Sequence, residues 1–241
     1  EIRAGKLSIS GDTRIEASTG EVEVSSNGNG STSANVAIAI AQHTTKLPIE
    51  VTVTGGTFIG GAALNEMNPE KNESAAIDLV EIFVEGGNYV GIVNSEDVDG
   101  FISGGNFSEP VNREYLDDTL NAELKRSSGA TPYSYYTDVD KALKYAQAGD
   151  TITDLSSQSG DSPEPVQVVT VTYNSNGHGE APEGHKVTAG TEITLKDMED
   201  TDDYAFMGWS IGEETYQPGE IFSVTGNTTF TAVWARKTTP I

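Results

Sequence analysis

The chain has 241 residues, enough for one large domain or two modest ones. Its 37 acidic and 14 basic residues give a net charge of −23, too few cations to neutralise nucleic-acid phosphates and the wrong sign for an anionic membrane. With no cysteine, a disulfide scaffold, a thiolate metal site and a Cys nucleophile are all excluded.

Hydrophobic residues make up 36% and glycines number 26, a profile of short strands with frequent reversals. The charge reads as a solubility feature, with an acidic docking face as the alternative. No window approaches the ~18 apolar residues of a membrane span, and no signal peptide is present. The ends, Glu1-Ile2-Arg3 and Thr239-Pro240-Ile241, lack a start Met and read as those of a piece of something longer.

In chain order, the first signal is a repeat. Gly55-Gly56-Thr57-Phe58, Gly86-Gly87-Asn88-Tyr89 and Gly104-Gly105-Asn106-Phe107 share one pattern. An apolar residue stands two before the first Gly (Val53, Val84, Ile102), and an aromatic stands three after it. Leu7-Ser8-Ile9-Ser10-Gly11 is a degenerate earlier copy. The unit predicts a short alternating strand, a corner made by glycines with positive φ or close backbone approach, and an inward ring. Ser33–Ile38 and Ser74–Leu79 read as second strands. The spacing is irregular, 31 residues from Gly55 to Gly86 and 18 from Gly86 to Gly104, as stacked coils with one variable loop would give. Asn65–Glu73 reads as that loop. Such glycine-corner repeats resemble the right-handed parallel β-helix of bacterial surface proteins over residues 1–108; an ordinary β-sandwich is the alternative.

Residues 109–155 change character and are expected to form a helical cap. Leu116, Leu120 and Leu124 fall at i, i+4 and i+8 within Pro110–Lys125. A clearer helix follows, capped by Thr137 or Asp138, with Val139, Ala142, Leu143 and Ala146 as its stripe and Gly149 at C′. The following Gly149-Asp150-Thr151-Ile152 looks like the entry cap of pectin-lyase-like β-helices. Here no coils come after it, so it reads as a cover for the end of the solenoid. Residues 156–166, rich in Ser, Gly and Pro, read as a linker.

From Val166 onward strands follow one another. The landmarks run VTYNSNG, VTAGTEITL, FMGWS, YQPGE and VTGNTTFTAVW. In this order they resemble the Listeria–Bacteroides repeat, the family of internalin B-repeats, over about 167–235. The resemblance implies a compact β-grasp-like fold over 167–236 and a non-catalytic spacer or interaction module on a bacterial surface. Tyr173, Phe206, Trp209, Phe230 and Trp234 are expected to build its core. Gly208 is expected to permit close packing, and Asn227 to serve the last turn. His178-Gly179 departs from the family's usual Asn-Gly-Gly tip. Exposed rings forming a sugar-stacking platform are the alternative to a buried core.

No catalytic, cofactor or metal residue is assigned, and no cofactor is expected. His43, His178 and His185 show no metal spacing and read as solvated loop residues. Glu96-Asp97-Val98-Asp99-Gly100 and Asp197–Asp203 hold carboxylates that Ca²⁺ would accept, and both read as solvated acidic turns. The fold class expected is mainly β: a short right-handed parallel β-helix with a small helical cap, then a β-grasp-like repeat. The function expected is non-enzymatic adhesion or display at the cell surface or cell wall. The partner expected is a host or neighbouring-cell surface protein or glycan, with no nucleic acid, no membrane insertion and a monomeric chain. Binding is assigned to loops around 60–75 and 94–100. The alternatives are a carbohydrate-active β-helix enzyme, which needs carboxylates about 5–9.5 Å apart across a groove, and a pure spacer.

Overall fold

A computed structural model describes residues 1–26, 31–156 and 163–238. The protein is mainly β, and it divides into two compact units: Glu1–Ala142 with Thr153–Pro163, and Leu143–Ile152 with Glu164–Ile241. Residues 157–162 of the expected linker lie outside the described residues.

In the N-terminal unit the repeated residues fall into columns. Gly5–Ile9, Ile49–Val53 and Val80–Val84 form one parallel sheet, with Ile9 beside Val53 and Val53 beside Val84. Bridges extend this column through Ile102 to Leu116. A second parallel ladder runs Arg14–Glu16, Thr57–Met67, Asn88–Asn94, Asn106–Phe107, and Val36–Ala41 also pairs with Thr57–Met67. Here Ile15, Phe58, Tyr89 and Phe107 share one register position. The degenerate copy at Leu7–Gly11 therefore occupies its own place in the ladder. Neighbouring ring centroids lie 5.1 Å apart from Phe58 to Tyr89 and again from Tyr89 to Phe107, and all three rings are essentially fully buried. A row of stacked rings is how a narrow core fills its volume without long aliphatic chains.

The two glycines of the motif do different jobs. The second, Gly56, Gly87 or Gly105, has φ of +117°, +107° or +118°, a region that side chains rarely enter. The first sits against the preceding repeat: a Cβ on Gly86 would stand 2.6 Å from the Thr54 carbonyl oxygen. Gly87→Ala is expected to cost about 1–3 kcal/mol in a denaturant melt, since the backbone strain cannot be relieved without moving the ring column.

Several expectations are corrected. Ser74–Ile77 is a short helix, not a strand, and the strand begins at Val80. Ser33–Ile38 is broken at Asn35, whose φ of +64° separates Ser31–Ala34 from Val36–Ala41. Pro110–Lys125 is not helical beyond the 3-10 turn Arg113–Tyr115, and Ala122–Lys125 is a strand. Leu116, Leu120 and Leu124 are all buried, but their spacing of four is also an even spacing, so it fits a strand face as well as a helix stripe. The Asp117 carboxylate closes a turn on the Thr119 amide at 2.9 Å, which ends any helix there.

Residues 109–142 thus cover the ladder mainly with strand. Tyr133–Tyr136 pairs antiparallel with Asn106–Phe107 and with Ala122–Lys125, so the sheets of this unit are mixed rather than all-parallel. The expected helix is present as Val139–Tyr145. The Asp138 carboxylate accepts from the Lys141 amide at 2.7 Å, which selects Asp138 as the cap, and Gly149 has φ +93°.

The C-terminal unit is a mixed sheet in the order Glu214–Tyr216, Tyr204–Ile211, Thr228–Arg236, Val166–Asn174, His185–Thr188, with Thr191–Thr194 and Ile221–Val224 paired separately. Its first and last long strands are parallel neighbours, with Tyr173 beside Phe230. Among the described residues of 164–238 there is no helix.

Candidate functional site

Three parallel strands, Val36–Ala41, Thr57–Met67 and Asn88–Asn94, run side by side, with Ala41 opposite Met67 and Asn65 opposite Asn94. Because they end at one level, the loops that leave them meet. These are 42–48, 68–73 and 95–100. The two segments expected to carry binding are therefore neighbours, joined by a third around His43 that carried no signal of its own. The expectation was too wide at one end. Residues 62–67, including Asn65 and Glu66, are buried strand, and the loop begins at Asn68.

The polar residues of this sequence stretch are the fasteners of the loops. Glu66 is 1% exposed. One of its oxygens, Oε2, accepts from the Ser95 hydroxyl at 2.9 Å and from the backbone amides of Glu96 and Asp97, each at 3.0 Å. Glu96 returns the link, its carboxylate accepting from the Asn68 amide at 2.8 Å. Asn94 donates to the Asn65 side chain at 3.0 Å, and the Tyr115 hydroxyl donates to the Ser95 carbonyl at 2.8 Å. On the other side, buried Gln42 donates to the Ala76 carbonyl at 2.7 Å and accepts from Asn72 at 3.0 Å; Lys46 pairs with Glu73 at 3.0 Å. Each loop is held by side chains from its neighbour. The outward groups Lys71, Glu73, Asp97 and Asp99 are left exposed on a fixed base.

Burial pushes the Glu66 carboxyl above its ordinary value, against the hydrogen bonds from Asp97, Ser95 and Glu96, which pull it down. A carboxyl raised in the folded state favours the protonated form there. Its penalty is absent below the unfolded carboxyl value, about 4.3, and grows as pH rises through the folded one, so this group makes the fold more stable on mild acidification. Glu66→Ala is expected to cost about 1–3 kcal/mol at neutral pH by stranding three donors, with the Glu96 and Asp97 amides exchanging faster with solvent. Glu66→Gln keeps an acceptor oxygen and is expected to hold the loop and to remove the part of the pH dependence that Glu66 contributes. Thermal melts from pH 4.5 to 7 with amide exchange check both.

Glu96–Gly100 is not a strand, so Asp97 and Asp99 are not held on one sheet face. Asp197–Asp203 is a connection with exposed carboxylates and a buried Met198, tied by Asp200, which accepts from the Phe206 amide at 2.8 Å and pairs with Lys237 at 3.3 Å. Among the described residues no group of three His, Asp or Glu is placed to hold a metal ion. His178 is half-buried, its ring 3.9 Å from that of Tyr204, and His185 lies beside Tyr173 at 6.4 Å. Both are partly buried and in ring contact, which their sequence positions did not signal; nothing in local sequence spacing pairs residue 178 with 204.

The rings of the C-terminal unit form a core. Trp209 and Phe230 are fully buried, and Tyr173, Phe206 and Trp234 pack against them. Trp209 lies 5.0 Å from Tyr173 and 5.1 Å from Phe206, and its indole N–H donates to the Lys196 carbonyl at 2.7 Å. Gly208 sits at a bulge where a Cβ would strike the Tyr216 carbonyl oxygen. The Asn227 side chain accepts from the Thr170 amide at 2.8 Å, tying the last turn to the first strand.

Residues 164–238 thus build a small aromatic-cored sheet with parallel first and last strands, Gly208 at its bulge and Asn227 at its last turn. Residues 170–233 match the family model of the Listeria-Bacteroides repeat domain, a repeat found in bacterial surface proteins. Neither the curated proteins nor the solved structures give a match to the chain. No described helix is long and apolar enough to cross a membrane.

Proposed function

We propose that the chain is a non-enzymatic adhesion or display segment of a bacterial cell-surface protein. The match of residues 170–233 to a repeat of surface proteins carries this reading. In it, the parallel ladders of the N-terminal unit are rungs of a short right-handed β-helix. The C-terminal unit is a β-grasp-like spacer, and the three loops at 42–48, 68–73 and 95–100 are the contact surface. The partner is a protein or glycan of a host or neighbouring cell, and the setting is the outside of the cell or its wall. Supporting the division of labour, the repeat spends its rings on its own core, while the loops are cross-braced and leave their charged groups outward.

The test is the full chain on arrays of glycans and matrix proteins, alongside incubation with a polysaccharide panel. Saturable binding with every polysaccharide left intact is expected. New reducing ends or unsaturated products would overturn the reading in favour of an enzyme, and an array without hits would reduce the chain to a spacer.

A further inference from the structure

The three-stranded sheet of the N-terminal unit turns one face outward. Along Val80–Val84 the alternation is strict: Val80, Ile82 and Val84 are buried, while Glu81 and Phe83 are exposed. Glu50 and Thr52 stand beside them in register on Ile49–Val53, where Ile49, Val51 and Val53 are buried. This alternation sets the face, and a strand added at a sheet edge lengthens such a face without covering it. Phe83 is 45% exposed, whereas the other phenylalanines of the unit, Phe58, Phe101 and Phe107, are buried. Leu79, two residues before Glu81, is 41% exposed, and Leu47 is 50% exposed. Leu47, Pro48 and Leu79 line one hollow of about 480 Å³ together with Glu50 and Glu81. The charge around these apolar groups is acidic. Lys6 is paired with Glu50 and is attracted by Glu81 as well, and Glu85, next in the alternation, is exposed. One ammonium against Glu50, Glu81 and Glu85 leaves the face negative.

We propose that this face binds a cationic, amphipathic segment of another protein, one that sets aliphatic side chains between lysines or arginines. Its aliphatic groups fill the hollow at Leu47, Pro48 and Leu79, removing apolar surface from water. Its cations meet Glu81 and Glu85, and one lies over the Phe83 ring, whose negative π-face attracts it. Lys6 stays on Glu50; that exposed pair adds little to binding in itself. A glycan fits less well. Phe83 offers a sugar one stacking surface, but the side chains of Leu47, Pro48 and Leu79 offer its hydroxyls no hydrogen bond, and the carboxylates repel acidic sugars. This partner goes beyond the loop contact proposed above, which the face adjoins at Leu47.

Calorimetric titration of the full chain with synthetic peptides tests this. A peptide alternating Leu with Lys is expected to bind, one alternating Ser with Lys to bind at least about ten-fold more weakly, and one alternating Leu with Glu not to bind. The double variant Leu79→Ser, Phe83→Ser keeps the net charge and changes exposed side chains only, so its melting temperature is expected to hold. It is expected to bind the Leu–Lys peptide at least about ten-fold more weakly than wild type. Glu81→Lys is expected to weaken it too. The double variant Glu180→Gln, Glu183→Gln, at exposed sites of the C-terminal unit, makes the same change in net charge and is expected to bind as wild type. Equal binding of the Leu–Lys and Ser–Lys peptides, or undiminished binding by Leu79→Ser, Phe83→Ser, would overturn the proposal. So would equal weakening by Glu81→Lys and by the Glu180, Glu183 pair, or a neutral oligosaccharide binding at Phe83 where the Leu–Lys peptide does not.

Discussion

Tyr89→Ala is expected to destabilise the N-terminal unit by about 3–5 kcal/mol, the largest loss at any single ring of that unit. Tyr89 is the middle of the row, with Phe58 on one side and Phe107 on the other, and it is fully buried. Its hydroxyl donates to the Gly86 carbonyl at 3.1 Å, so the ring is also tied to the corner of its own repeat. Removing it opens a cavity between two neighbouring strands of the ladder. The cavity cannot collapse, because the backbone on either side is set by parallel pairing with Thr57–Met67 and Asn106–Phe107. Tyr89→Phe retains the ring and is expected to cost about 1 kcal/mol, the worth of one hydrogen bond. Denaturant titration followed by far-UV signal separates the two. Equal small losses would mean that the ring row does not bear on stability.

Trp209→Ala is expected to cost the C-terminal unit about 3–5 kcal/mol, a large part of the roughly 5–15 kcal/mol that holds a domain together. The indole fills the centre of the module and touches Tyr173 and Phe206, while its N–H is spent on Lys196. Both tryptophans of the chain, Trp209 and Trp234, lie in this unit, so indole emission follows it alone. In the Trp209→Ala chain the remaining Trp234 is expected to report unfolding at markedly lower denaturant. Trp209→Phe is expected to fall between, keeping part of the volume and losing the N–H bond. A midpoint unmoved by Trp209→Ala would contradict the assignment of this ring to the core.

What was legible in the sequence, and what was not, follows one physical division. Residues whose job is local could be read: the paired glycines, the ring three positions on, a helix cap at Thr137 or Asp138 and the order of strands after Val166. Their requirements, a positive φ or a filled core position, act on the residue itself. Pro110–Lys125 misled because a spacing of four satisfies both a helix stripe and every second residue of a strand. Glu66 misled because a charged residue in a polar run looks like loop, and only the fold brings Ser95, Glu96 and Asp97 to its carboxylate. The same holds for the His178–Tyr204 contact and for the loop at 42–48. Each depends on partners far along the chain, and a single sequence does not state which distant residues meet.

In the proposed function the braced loops at one end of the parallel strands make the contact and the repeat does not. The most direct measurement is array binding of the full chain beside a variant combining Lys71→Ala, Asp97→Ala and Asp99→Ala. These side chains are exposed and outside the Glu66 and Gln42 hydrogen bonds, so the melting temperature is expected to be unchanged. The ligand bound by the wild-type chain is expected to be lost or bound at least ten-fold more weakly by the variant. Undiminished binding by the variant would contradict it.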